Sequence, residues 1–301
     1  MLRVFTLLLL SLTVHAVGQD GVTPSRTEQV AILKDTRIHE SSGIARSLRH
    51  DDIFWTLNDS GGEPCIFAID VHGHTRAKMR LPNAVNFDWE DICSGRDAKG
   101  QPVLYIGDIG DNLKVRRGIQ IYRIPEPEVL PEGQNPPEII STAPTVLHVR
   151  YPGGPRNSES LLAHPQTRRI YILTKDDNGK SSLFALPESM PEETLVTLEE
   201  VAGVVFPGYA RMGKRVIDDR MCTSAGFSPD GTHLIASTYS SLYEWTLPKG
   251  VPLAEALAKS PRRMVPDLLR QLEGVCYDAD GKTLWLTSEQ LPAPLVKVTR
   301  P

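Results

Sequence analysis

The chain has 301 residues, 40% of them hydrophobic and 23% charged, a balance that excludes a disordered or fibrous protein. Its 33 basic and 37 acidic residues give a formal net charge of −4, so no cationic excess points to nucleic acid. The 23 glycines and 24 prolines follow no collagen period and punctuate the chain too often for an all-α bundle.

The chain opens with Arg3 and an almost wholly apolar run over 4–14, followed by Val14-His15-Ala16 and Ala16-Val17-Gly18. That is the n-region, h-region and small-residue cleavage pattern of a secretory signal peptide. The run is too short to cross a bilayer, which takes about 20 residues. No later run reaches spanning length. The expected organisation is a signal peptide over 1–18 and a single domain over 19–301, secreted or periplasmic after cleavage. The domain should be a soluble monomer.

After an isolated strand over 29–33, one short pattern recurs five times, at 40–44, 88–92, 157–161, 223–227 and 271–275. Each copy has a few polar residues, then a small or acidic one, then an aliphatic or aromatic one. Its third positions are Ser42, Glu90, Glu159, Ala225 and Glu273. A turn follows each copy, with Asp-Gly at Asp230-Gly231 and Asp280-Gly281 as hairpins favour. Next come β-rich second runs at 54–57, 104–106, 170–173, 234–237 and 284–287, then third runs at 66–69, 119–124, 182–186, 242–245 and 295–298. Fourth strands fit 74–81, 145–151 and 195–206. The segment 262–268 is a poor fourth strand because Met264-Val265-Pro266 interrupts it. The stretch 253–259 reads as a short surface helix.

Repeats of this size, each a small antiparallel sheet that cannot bury both faces alone, are the signature of propeller blades. The expected fold is therefore all-β, a single β-propeller. Five blades are favoured, and six if the long 159–225 interval hides a degenerate one. The last repeat ends with three strands, so the N-terminal strand at 29–33 supplies the fourth and closes the ring, leaving no open edge. Cys65, Cys93, Cys222 and Cys276 contain no C-x-x-C; free thiols and one or two disulfides stay open, with three possible pairings.

Several strings carry a resemblance. Glu40-Ser41-Ser42-Gly43-Ile44, Trp55-Thr56-Leu57-Asn58-Asp59-Ser60-Gly61, Asp88-Trp89-Glu90-Asp91-Ile92 and Gly107-Asp108-Ile109-Gly110-Asp111-Asn112 are four of them. Tyr122-Arg123-Ile124-Pro125-Glu126-Pro127, Tyr171-Ile172-Leu173-Thr174-Lys175 and Thr287-Ser288-Glu289 continue the series. Over roughly 37–300 the chain resembles a largely uncharacterised bacterial family of exported β-propellers, placed beside phytase-like and esterase-like propellers. The resemblance implies a fold more firmly than an activity. One departure is the fourth repeat, where the acidic position reads Ala225.

Alternation puts the first and third positions of each innermost strand on one side: Glu40/Ser42, Asp88/Glu90, Asn157/Glu159, Thr223/Ala225 and Gln271/Glu273. The second strands end at Asn58-Asp59, Asp108 (then Asp111-Asn112), Lys175, Thr238 and Ser288-Glu289. Antiparallel pairing brings both sets to one channel mouth. Carboxylates gathered there raise one another's pKa until a cation relieves them. Ca2+ suits such an oxygen-rich set, with Asp88, Glu90, Asp108, Glu159 and Glu273 as candidate ligands. Zinc does not, because no histidines are ligand-spaced. Ligand contacts are expected from Glu40, Asn58, Asp59, Asp88, Asp111, Asn112, Glu159, Lys175 and Glu289.

Trp89 and Asp91 read as packing and hydrogen-bonding residues. No nucleophile elbow and no Walker loop occurs. The preferred reading is thus a binding propeller for a small molecule, glycan or protein. The alternative is a metal-dependent phosphate- or carboxyl-ester hydrolase, with Glu90, Asp108 and Glu273 as base candidates; whether the chain is an enzyme stays open.

Overall fold

The computed structural model describes residues 25–128, 138–188, 194–206, 209–212, 215–266, 269 and 271–300. The signal-peptide reading lies outside them. The described chain is a five-bladed β-propeller with one short helix.

Strand β1 (Arg26–Ile32) precedes blade one, which holds β2 (Ser41–Arg46), β3 (Ile53–Asn58), β4 (Cys65–Asp70) and β5 (Thr75–Arg80). Blade two begins with β6 (Trp89–Arg96), β7 (Pro102–Asp108) and β8 (Ile119–Pro125). The chain then crosses to lay β9 (Glu138–Ile140) in parallel on the outer edge of blade one, and returns as β10 (Thr145–Arg150). Blade three comprises β11 (Ser158–Ala163), β12 (Ile170–Thr174) and β13 (Lys180–Ala185). After β13, β14 (Val196–Thr197) pairs with β10 of blade two, and β15 (Glu199–Val205) completes blade three. The expected fourth strand over 195–206 is therefore shared between two blades. A hairpin of β16 (Tyr209–Met212) and β17 (Arg215–Asp218) fills part of the long interval, so no sixth blade forms there.

Blade four holds β18 (Cys222–Phe227), β19 (His233–Thr238) and β20 (Leu242–Thr246), then helix α1 (Leu253–Leu257) and β21 (Arg262–Met264). β21 is a true fourth strand, ended after three residues where Pro266 would remove a ladder donor. Blade five holds β22 (Leu272–Tyr277), β23 (Thr283–Ser288) and β24 (Pro294–Thr299), and β1 pairs antiparallel with β24. The ring is thus closed by one strand from each end of the described chain.

Five buried clusters lie between successive blades. One, with Phe54, Ile44, Trp285 and Leu295, joins blade five to blade one. Second strands are packed from both faces, which is why 53–58 and 283–288 are buried throughout and read as unbroken apolar-rich runs. The outer strand β5 alternates because only one of its faces meets a neighbour.

Every innermost strand carries a β-bulge at the same place. Glu90, Glu159, Thr223 and Glu273 are the inserted residues of blades two to five, and blade one has Ser42-Gly43 there. This corrects the register of blade four. Thr223, not Ala225, occupies the acidic column, and Ala225 sits two places on, at the position Ile92 and Leu161 hold in their own blades, each in a buried cluster.

Candidate functional site

First strands begin where second strands end: Ser41 faces Asn58, Trp89 faces Asp108, Ser158 faces Thr174, Cys222 faces Thr238 and Leu272 faces Ser288. One pole of the axis therefore collects the bulge residues together with the residues just after the second strands. The latter are Asp59, Lys175, Tyr239 and Glu289, and Ile109 in blade two.

The carboxylates of Asp59, Asp88 and Glu90 each offer an oxygen within 4.8 Å of the others. Glu90 is 4% exposed and accepts no hydrogen bond among the described residues, and Glu273, also 4% exposed, accepts none either. Burial holds Glu90 well above the usual carboxylate range, and Glu159, Asp59 and Asp88 add to the effect. Burial likewise raises Glu273, with Glu159 and Glu289 adding to it. Asp59, Asp88 and Glu289 are raised by the same two causes, burial first and neighbouring carboxylates second. Desolvation and mutual repulsion both favour a proton or a cation here.

Lys175 is the ammonium that burial and hydrogen bonding place among these groups. It hydrogen-bonds Glu159, donates to the Tyr239 hydroxyl at 2.6 Å and lies 4.8 Å from that ring's centroid. Burial works against its charge, but Glu159 and Tyr239 hold it above its ordinary range. Burial pushes Glu159 up to about 7 despite Lys175.

Other expected residues are committed elsewhere. Asp108 pairs with Arg116 at 2.8 Å and accepts from the Asp88 N–H at 3.2 Å, so it positions the trio from behind. Asp111 accepts from the N–H groups of Val115 and Arg116, at 2.9 and 2.7 Å, and shapes the loop after β7. Asn157 accepts from the Asp111 N–H and donates to Asn112, fastening that loop to blade three. Asn58 accepts from His39 and Glu40 and donates to the Arg37 carbonyl. Glu40 is exposed, 3.5 Å from His39. Thr223 hydrogen-bonds Ser237 and donates to the Leu272 carbonyl.

Around this pole the connecting loops expose Val85, Phe87, Leu113, Val115 and Leu291, each more than 60% accessible. Phe87 carries the Arg116 guanidinium 4.8 Å above its ring. An acidic floor with an apolar rim suits a ligand having both oxygens and a hydrocarbon face.

Beneath the bulges the axis is closed by Asp91. Its carboxylate accepts from the Leu161 N–H at 2.9 Å and from Ser224 Oγ at 3.4 Å, and it abuts Gly43. Trp89 is fully buried, its Nε1–H donated to the Val85 carbonyl at 3.0 Å. The far pole is a separate cavity of about 340 Å³, lined by Ile44, Ile92, Leu162 and Val275 among others. Cys65, Cys93, Cys222 and Cys276 are free thiols, each raised by burial.

Sequence reasoning missed Tyr239 and Arg116. The signal for Tyr239 was present, because it follows the second strand of blade four as Lys175 follows that of blade three. Arg116 had none, since its place depends on a loop.

No helix of the described residues is long and apolar enough to cross a membrane. No family model matches the chain, and no curated protein matches it in sequence. Among solved structures, a Xanthomonas campestris gluconolactonase described as important in glucose secondary metabolic pathways is similar over 92% of this chain and 86% of its own. It is 11% identical, with a TM-score of 0.44, and likeness of that grade bears on neither site nor activity.

Proposed function

We propose that the protein is exported and binds a divalent cation, Ca2+ by its chemistry, at the acidic pole. The cation in turn holds an oxygen-bearing small molecule, glycan or protein segment. The observation that carries this is the trio Asp59, Asp88 and Glu90, whose oxygens lie within 4.8 Å of one another while buried Glu90 lacks a hydrogen-bond donor among the described residues. Ca2+–oxygen distances of about 2.4 Å put ligands on opposite sides of one ion up to about 5 Å apart. Bound cation would offset the repulsion and desolvation that raise these carboxyls. The apolar rim supports a ligand with a sugar-like or hydrocarbon face.

Calorimetric titration of the metal-free protein with CaCl2 tests this reading. Binding is expected, and Glu90→Gln should weaken it at least tenfold, about 1.4 kcal/mol. No heat from Ca2+, with no metal found by elemental analysis, would sink it.

A second reading, a metal-dependent ester hydrolase, draws support from Glu159. A carboxyl near pKa 7, bonded to Lys175 beside the trio, is matched to general acid–base work at neutral pH. Turnover of a chromogenic carboxyl or phosphate ester, lost with chelator and in Glu159→Gln, would favour it over binding alone.

A further inference from the structure

A second charged site lies on the same face, away from the axis. Arg116, Arg117 and Arg150 line a pocket of about 420 Å³ together with Gly153, Gly154 and Thr197. No aspartate or glutamate among the described residues lines it. Its volume is in the roughly 300–1,000 Å³ range of small-molecule sites.

The three guanidiniums differ in what they have left to offer. Arg116 is held by Asp108 at 2.8 Å and by the Gly110 carbonyl at 2.7 Å. Arg150 is oriented by its Nε–H donated to Thr197 Oγ1 at 2.9 Å, and has no carboxylate partner among the described residues. The Arg117 side chain has no hydrogen bond or ion pair among the described residues. Part of the lining is glycine backbone, beside Tyr151, Pro152 and Pro155. Gly153 and Gly154 have φ of +82° and +111°, which side chains disfavour, and open space lies beside both α-carbons. Guanidiniums present a planar fork of donors that matches oxyanions. Two of them have no acidic partner among the described residues, which leaves positive charge uncompensated there.

We infer that this pocket binds the oxyanion of a sugar-sized anionic ligand, a phosphate or carboxylate on a hydroxylated ring. Thr197 and the glycine backbone supply contacts to the ring's hydroxyls. The inference stands apart from the cation reading, because no residue of the trio lines the pocket.

Calorimetry with glucose 6-phosphate, glucuronate, inorganic phosphate and glucose tests it, at low ionic strength because exposed charges are screened by salt. Glucose 6-phosphate or glucuronate should bind and neutral glucose should not; which of the two binds identifies the oxyanion. Arg117→Ala and Arg150→Ala should each raise Kd at least tenfold, and Arg117→Glu should abolish binding, with unchanged circular dichroism. Chelator should leave the anion affinity unaltered, so a failed cation site and a failed anion pocket are told apart. The inference is overturned if neither sugar anion binds, if only inorganic phosphate does, if glucose binds equally well, or if both alanine variants keep wild-type affinity.

Discussion

Gly110 and Asp91 confine the acidic pole from two sides. A β-carbon on Gly110 would overlap a Glu90 carboxylate oxygen and lie 2.6 Å from Asp88 Cγ. Gly110→Ala should therefore weaken Ca2+ binding more than tenfold by displacing two of the three proposed ligands, read by the same titration with the fold checked by circular dichroism. Asp91 is a different kind of carboxyl. Burial drives its pKa well above normal, and it faces backbone and hydroxyl donors rather than a cation. Asp91→Ala would leave the Leu161 N–H buried without its acceptor, a loss of about 1–3 kcal/mol. Denaturant unfolding should show that loss, and Asp91→Asn, which keeps an acceptor oxygen, should recover much of it.

At the scale of the element, the bulge decides what the innermost strand presents. Inserting one residue re-aims the chain, so Glu90, Glu159 and Glu273 escape the ladder and gather at the pole. The five strands were legible in sequence because each repeat has a polar head, a turn and two apolar runs. The register of blade four was not. Gly226-Phe227 resembles Gly43-Ile44 and Gly274-Val275, and matching the glycines shifted the acidic column to Ala225. Packing overrules that match, since Ala225 lies in the buried cluster between blades three and four. The closing strand can be tested directly. β1 satisfies the outer edge of β24, and Leu33 bonds to the Ala293 carbonyl at 2.8 Å. A chain beginning after residue 33 should expose that edge, lose cooperative thermal unfolding and aggregate, as measured by calorimetry and light scattering.

For the whole molecule the acidic pole makes stability depend on pH and metal together. Glu159, Glu90 and Glu273 have folded-state pKa values above the ordinary 4.5 of a glutamate. Below that value both folded and unfolded chains are protonated at these groups. As pH rises, the unfolded chain ionises first and the folded state keeps its protons, so stability falls between about pH 4.5 and the raised values. The metal-free protein should show a melting temperature that declines from pH 5 to beyond 7. Glu273→Gln should flatten the decline, and saturating Ca2+ should remove most of it by stabilising the ionised form. A melting temperature that rises over this interval without metal would contradict the buried carboxyl cluster.

The sequence alone determined that this is an all-β ring of repeated sheets closed by its first strand. Those features rest on local patterns, alternating runs, turn residues and repeat period, which each segment carries within itself. It also placed acidic residues at one end of the innermost strands, because antiparallel pairing fixes which strand ends meet. Only the tertiary structure decided which carboxylates share a site. Asp108 and Asp59 look alike in sequence, yet Asp108 is paired with Arg116 and Asp59 stands with Asp88 and Glu90. The arginine pocket was equally hidden: the adjacent Arg116 and Arg117 come from one segment of blade two and Arg150 from another, over thirty residues on. Electrostatic pairing depends on distances of a few ångströms between groups far apart in the chain, and those distances are set when the blades pack.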